Sequence, residues 1–284
     1  MKKYILIGLS LFFVSHLVGW TQNRHALVIG IGQYEDPRWG TIHGDTDVDY
    51  VFEFLTLNGF ADIQTLRNSE ATKQGILDAF EALESRCVPG DKVYIHFSGH
   101  GQQITDVDGD EDNGYDEAWI PYDAQPIYAK GVYEGERHLI DDEVNCLLSV
   151  IKTIIGPSGR ILVVIDACHS GTATRAPGDT TTARGFDKKF EIPGAKPKRR
   201  IAAVENWITI SACQSYQVNW EVWQPAVGKL TWCLYNLRTE LKTLTNLELK
   251  SSILRIMQEN PGPLEQTPAI TGCTRRESVK ELFE

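Results

Sequence analysis

Four short apolar runs constrain the fold of this chain more than any other feature: 25–32 (HALVIGIG), 92–101 (KVYIHFSGHG), 160–168 (RILVVIDAC) and 206–213 (NWITISAC). Each is a compact, largely apolar run, so each reads as a buried strand. Helical periodicity lies between them. Val51, Phe54 and Leu55 share a face within 47–57, and Ile76, Leu77, Phe80 and Leu83 share one within 72–86, with Thr72 as N-cap. The segments 141–155, 230–241 and 247–257 carry the same signal, the last with Asn246 as cap. Buried strands alternating with helices predict an α/β fold with a mainly parallel sheet covered on both sides.

Charge narrows the function. Among 284 residues, 28 are Lys or Arg and 38 Asp or Glu, a net charge of −10. That balance excludes nucleic-acid binding through bulk charge and leaves cationic ligands, metal ions and basic substrates open. Lys2 and Lys3 precede an apolar run over 4–18. The run is shorter than the ~20 residues of a spanning helix, so 1–22 is expected to be a signal peptide rather than a retained anchor. The mature chain is then exported, periplasmic or secreted, with no membrane contact after the signal is removed. Six cysteines are too few for a disulfide scaffold. Export still allows Cys87, Cys146, Cys213, Cys233 and Cys273 to pair, and their spacing fits no metal motif.

Two segments break the strand–helix rhythm. The stretch 106–117 holds seven acidic residues in twelve and no basic one, while 172–200 has no apolar periodicity and is rich in Thr, Gly, Pro, Lys and Arg. The second reads as a long exposed loop, a kind that in compact domains is functional or disordered.

Ligands of open parallel sheets bind beyond the carboxyl ends of the strands. Two of the runs end in reactive side chains: Ser98 and His100 on one, Asp166 and Cys168 on the other. Neighbouring strands would bring His100 and Cys168 to one edge. A cysteine thiolate can attack a carbonyl while an imidazole activates the thiol or protonates the leaving amine. Gly101 and Gly171 beside them let a substrate backbone approach and leave N–H groups for an oxyanion.

SGHG at 98–101 and DACHSG at 166–171, 68 residues apart from His to Cys, resemble the His and Cys boxes of caspase-like cysteine peptidases, and most of all the bacterial metacaspase branch. HALVIGIGQY, GDTDV at 44–48, YDEAWIPYDA, LIDDEVN, ISACQSYQVNWE and GKLTWCL extend the resemblance from about residue 25 to the 270s. It implies a caspase-like three-layer α/β/α sandwich. A large-subunit-like part would span 23–171, a basic processing linker 172–205 and a small-subunit-like part 206–284. It implies a Cys168–His100 dyad, with oxyanion donors from the backbone of Gly101 and Cys168. It also implies a substrate pocket of Asp47, Ser98 and Asp166, which as a carboxylate pocket would take Arg or Lys at the cleaved bond of a protein or peptide. A gingipain- or legumain-like peptidase and a non-catalytic module on the same fold are the alternatives.

An Arg/Lys-specific protease with a basic loop after its nucleophile can cut itself there. Arg175 and Arg184 are the expected sites, a solvated uncut linker being the alternative. The order Asp106, Asp108, Asp110 imitates the start of an EF-hand loop, but Glu111 stands where that motif needs glycine. The resemblance implies instead a Ca²⁺ site using Asp116, Asp141 and Asp142 as an activator site, with Asp179 the only acid near the position of a fourth ligand. No cofactor is needed for the chemistry itself. His169 is expected to be structural and Cys213 to pack in the core. Glu221 has no assigned role, and the tryptophans at 207, 220, 223 and 232 wall the cleft or pack in the core. The protein is expected to act as a monomer.

Overall fold

The computed structural model describes residues 22–109, 111, 113–168, 182–186, 188–195, 206–262, 265–272 and 278–284. The expected leader lies outside these except for Gln22, as do His169, Arg175, Asp179, Asp110 and Cys273.

In chain order the elements are β1 (Arg24–Gly30), α1 (Gly44–Leu57), β2 (Asp62–Arg67), α2 (Lys73–Arg86), β3 (Lys92–Ser98), β4 (Gly101–Thr105), β5 (Tyr115–Trp119) and β6 (Leu139–Ile140). Then follow α3 (Asp141–Ile155), β7 (Arg160–Asp166), β8 (Ile208–Ser211), β9 (Glu221–Val222), β10 (Val227–Gly228), α4 (Lys229–Asn236), α5 (Asn246–Glu259), β11 (Ala269–Thr271) and α6 (Lys280–Phe283). Six strands form the central sheet in the order β11-β8-β7-β3-β1-β2, parallel except for the antiparallel edge strand β11. The fold is the expected α/β architecture with a mainly parallel sheet.

Alternation along the buried strands divides the core in two. Leu27 and Ile29 of β1 face a layer containing Ile76, Phe80 and Leu83 of α2 and Leu148, Ile151 and Ile155 of α3. Ala26 and Val28 face the opposite layer, with Val48, Val51 and Phe54 of α1, Leu230 and Leu234 of α4 and Ile253 of α5. Thr72 caps α2 as expected, its Oγ1 accepting the Gly75 N–H at 3.0 Å. For α5 the cap is Thr245 rather than Asn246. Its hydroxyl and Glu248 form a reciprocal capping box, so the helix starts one residue earlier than apolar periodicity shows. The helix expected over 230–241 ends at Asn236. Strand β2 has no fully buried residue, which removes the continuous apolar signal that marks its neighbours.

The described cysteines 87, 146, 168, 213 and 233 are all free thiols. Among the described residues no helix is long and apolar enough to cross a membrane.

Helix α1 starts in direct contact with two strand ends. A Cβ on Gly44 would stand 2.5 Å from the carbonyl oxygens of both Ile31 and Ser98, and one on Gly30 would stand 2.2 Å from the Gly44 oxygen. Backbone atoms cannot yield to such a clash, so glycine at 30 and 44 is what lets the first turn of α1, and Asp47 with it, sit over the end of β3. Gly44→Ala is expected to cost about 2–3 kcal/mol through overpacking, read as a lower urea midpoint with unchanged slope.

Candidate active site

The register of the sheet sets the first contacts. β3 and β7 are parallel neighbours with Ser98 opposite Asp166, so both strands deliver their reactive residues to the same edge. His100 and Cys168 follow two residues beyond each and are buried. The His100 N–H donates to the Tyr34 hydroxyl at 2.7 Å, and the imidazole is flanked by the rings of Tyr34 and Trp39 at centroid distances of 5.1 and 5.7 Å. Its Nε2 lies 3.3 Å from the Gly40 oxygen. With Nε2 as donor in that contact, Nδ1 is the basic nitrogen of the neutral ring.

Asp47, Ser98 and Asp166 come together beside this edge, all fully buried. The Ser98 hydroxyl donates to Asp47 Oδ2, and the Gly228 N–H donates to Asp47 Oδ1 at 2.8 Å. Asp166 is held by neutral donors. Asn219 Nδ2 lies 2.8 Å from Oδ1, and the Thr231 N–H and hydroxyl lie 2.7 and 2.8 Å from Oδ2. Gly228 keeps the space open: a Cβ there would stand 2.3 Å from Asp166 Oδ2 and 2.6 Å from Asp47 Oδ2.

Into this space the chain inserts its own Arg184. Its guanidinium Nη1 lies 2.7 Å from Asp47 Oδ2, contacts Ser98 Oγ and lies 3.2 Å from the Asp166 main-chain oxygen. Asp166 Oδ1 is 3.7 Å away. The other side of the guanidinium meets a carboxylate to which the sequence had assigned no role. Nε and Nη2 lie 3.1 and 2.9 Å from Glu221 Oε1. His43, the N-cap of α1, holds Glu221 through its backbone N–H at 2.7 Å and its ring Nδ1 at 2.6 Å.

The backbone around Arg184 is held as well. The Arg184 oxygen accepts from the Cys168 N–H at 2.8 Å, and the Arg184 N–H donates to the Asn219 oxygen at 3.0 Å. Thr182 O accepts from the Glu221 N–H at 2.9 Å, and Ala183 bridges antiparallel to Trp220. Ala183 packs with Val218, Trp220 and Cys168. Gly185 bridges to Gly101, and a Cβ on it would stand 3.2 Å from Cys168 Sγ. Phe186 packs against Trp39 at 5.2 Å, and Phe190 is buried with main-chain bonds to Gln103 and Thr105.

This corrects the reading of 172–200 as an exposed loop. Residues 182–186 run through the site with Ala183 and Arg184 buried, while 188–195 lie along β4, largely exposed except for the buried Phe190. The partners that bury them come from β4, β9 and the segment around Cys168, none adjacent in sequence, so local periodicity carries no trace of them. Of the tryptophans, 207 packs in the core and 220 under Ala183. Trp223 is exposed, and Trp232 meets the Tyr50 ring at 6.1 Å. Cys213 is buried beside Cys168, and both thiols approach the Gln217 oxygen, at 3.5 and 3.2 Å.

A second acidic group lies on β5 and the loop before it. Asp106, Asp108 and Asp116 each offer an oxygen within 4.8 Å of the others, and Asp106 also accepts the N–H groups of Asp108 and Gly109 at 2.9 and 2.5 Å. Burial, reinforced by Asp116, Glu117, Asp142 and Glu111, pushes Asp141 up to about 8. Of the expected set Asp116, Asp141 and Asp142, Asp116 falls in the group with Asp106 and Asp108, while Asp141 lies near enough to feel the charges of Asp116 and Asp142. Crowded carboxylate oxygens of this kind suit a hard cation.

A sheet of this order, with histidine and cysteine at the carboxyl ends of adjacent strands, defines a caspase-fold cysteine peptidase. A family model described as the metacaspase, peptidase C14 domain, matches residues 24–177. Metacaspase-1B of Aspergillus terreus is 28% identical across 93% of this chain and 78% of its own length. Metacaspase-1A of Aspergillus niger is 35% identical across 55% of this chain and 38% of its own. A crystal structure of a Geobacter sulfurreducens protein, 25% identical, superposes with a TM-score of 0.61, covering 88% of this chain and 92% of its own. Caspase-1 of Spodoptera frugiperda, 13% identical, covers 88% and 86% with a TM-score of 0.59 and shares the fold. The chain belongs to the metacaspase peptidase C14 family and is a cysteine-type endopeptidase.

Removing Arg184 exposes the electrostatics of the pocket. Burial, together with the Asp166 charge, already pushes Asp47 up to about 6 against Arg184's downward pull. Arg184→Ala removes that pull and is expected to cost about 3 kcal/mol at neutral pH, the lower end for a broken buried pair because water can enter. A carboxyl raised from 3.8 holds its proton in the folded state after the unfolded chain has lost it. Stability of the variant therefore falls as pH rises through that window, more steeply than in the wild type. Urea titrations between pH 4.5 and 7.5 check the slope.

Proposed function

We propose that this endopeptidase cleaves after Arg, and after Lys more weakly, with Cys168 as nucleophile and His100 as acid–base, and that Arg184–Gly185 is the bond it cuts in its own chain. One observation carries this reading: the side chain of Arg184 fills the acidic pocket while its carbonyl oxygen lies 2.8 Å from the Cys168 N–H, with Cys168 Sγ beside Gly185. That is the pose of a substrate's residue before the cleaved bond, with Ala183 and Thr182 paired to 220–221 as preceding residues.

In this mechanism the Cys168 thiolate attacks the Arg184 carbonyl carbon. The Cys168 N–H, assisted by Gly101, stabilises the charge that develops on oxygen. His100 protonates the Gly185 nitrogen as the C–N bond breaks, leaving a thioester on Cys168. Water, deprotonated by the same imidazole, then hydrolyses the thioester and restores the thiol. Tyr34, Trp39 and Gly40 orient the ring for both transfers. Protein or peptide substrates with Arg or Lys before the bond take the same place once residues 182–184 leave it. Arg175 stays a second proposed self-cleavage site on sequence alone. Export through the 1–22 leader is proposed on its basic-then-apolar pattern.

Ca²⁺ is proposed as an activator, held by Asp116, Asp141 and Asp142 with help from Asp106 and Asp108. It would supply charge neutralisation to β5 and the start of α3, not chemistry at Cys168.

Paired fluorogenic peptides ending in Arg, Lys or Asp test the reading. Arg is expected to be turned over fastest and Asp not at all, and Cys168→Ala is expected to lose at least ~10³-fold. Cleavage after Asp would refute the pocket and leave the dyad standing. Amino-terminal sequencing of the self-processed protein is expected to begin at Gly185, and Cys168→Ala and Arg184→Ala to stay uncut there. Chelator is expected to slow processing and calcium to restore it, with Asp141→Asn insensitive to both.

A further inference from the structure

We propose that Glu221 is the residue that makes this site prefer arginine to lysine. The inference rests on the Arg/Lys reading above and deepens it.

The pocket divides its acceptors between two sides of the guanidinium. Nη1 alone meets Asp47, Ser98 and the Asp166 main-chain oxygen. On the other side, among the described residues, Nε donates to Glu221 Oε1 at 3.1 Å and Nη2 lies 2.9 Å from the same oxygen as an ion pair. A lysine ammonium is a single point charge that ends near the position of the guanidinium carbon. It reaches the Asp47–Ser98–Asp166 side, and by doing so gives up Glu221. An arginine fork satisfies both sides at once. The difference between the two substrates is therefore concentrated in one carboxylate.

Glu221 is built for that task. It is almost fully buried, so its charge acts without screening by bulk water. His43 fixes its orientation with two contacts, from its N–H to Oε1 at 2.7 Å and its ring to Oε2 at 2.6 Å. The backbone N–H of Glu221 donates to Thr182 O at 2.9 Å, two residues before Arg184. One residue thus pairs with the substrate backbone and reads the side chain that follows.

The test is kcat/KM on two peptides identical except for Arg or Lys before the cleaved bond, for wild type, Glu221→Gln and Glu221→Asp. The ratio of the two rates within one preparation cancels the fraction of active enzyme. Losing the charge-assisted bond to Nε and the ion pair with Nη2 is expected to slow Arg cleavage about 30–100-fold in Glu221→Gln, with Lys changed less than about 5-fold. Glu221→Asp, which keeps the charge at shorter reach, is expected to regain part of the Arg rate. Retained Lys turnover shows that the variant is folded. Equal losses on both peptides, or an unchanged Arg/Lys ratio in Glu221→Gln, would overturn the assignment. A wild type that cleaves neither peptide would refute the Arg/Lys reading itself, a result distinct from either.

Discussion

One buried guanidinium holds the catalytic end of this molecule together. Arg184 lies in contact with Asp47 and Glu221 and close to Asp166, on residues contributed by α1, β9 and β7. Three carboxylates at this depth repel one another and lose their hydration. Each is tolerated because it has a cation beside it or, for Asp166, three hydrogen bonds from neutral donors, one from Asn219 and two from Thr231. In the proposed reading, the arrangement that holds Arg184 is also the binding site for a substrate arginine, and stability of the uncut chain and recognition of substrate draw on one set of contacts.

The sheet supplies the frame on which this rests. Because β3 and β7 are adjacent and in register, Ser98 and Asp166 are level, and His100 and Cys168 follow them at the same edge. Helix α1 reaches the same point from β1 through the close approach of Gly44 to the Ser98 oxygen. The segment 182–186 is then laid across the strand ends by pairing on both sides, with 219–221 along one edge and Gly101 along the other. Polar backbone that would be unsatisfied in a buried loop is thereby paired, which is why this stretch can sit inside the cleft.

Legibility of the sequence followed the range of the interactions. The four apolar strands, the helices between them and the Thr72 cap depend on neighbours within a few residues, and they were readable. Strand β2, partly exposed along its length, was not, and the Thr245 cap is masked by Asn246, an equally good capping residue one position later. Ser98, His100, Asp166 and Cys168 stood out because reactive side chains at the ends of apolar runs are conspicuous. Glu221 did not, since its partners His43 and Arg184 lie 178 and 37 residues away. Nothing in NWEVW distinguishes an acid turned into a pocket from one turned to solvent.

By itself the sequence determined the layered α/β architecture, the edge where chemistry gathers, the family and an acidic character suited to cationic side chains. The architecture, the edge and the acidic character follow from periodicity, strand-end residues and composition, and the family from the resemblance of the His and Cys boxes, all of which are local or additive. Only the tertiary structure decided that Arg184 is buried rather than exposed, that its carbonyl meets the Cys168 N–H, and that Glu221 completes the pocket. Those facts depend on which distant segments share one small volume, and a buried charge is set by its surroundings, not by its neighbours in the chain.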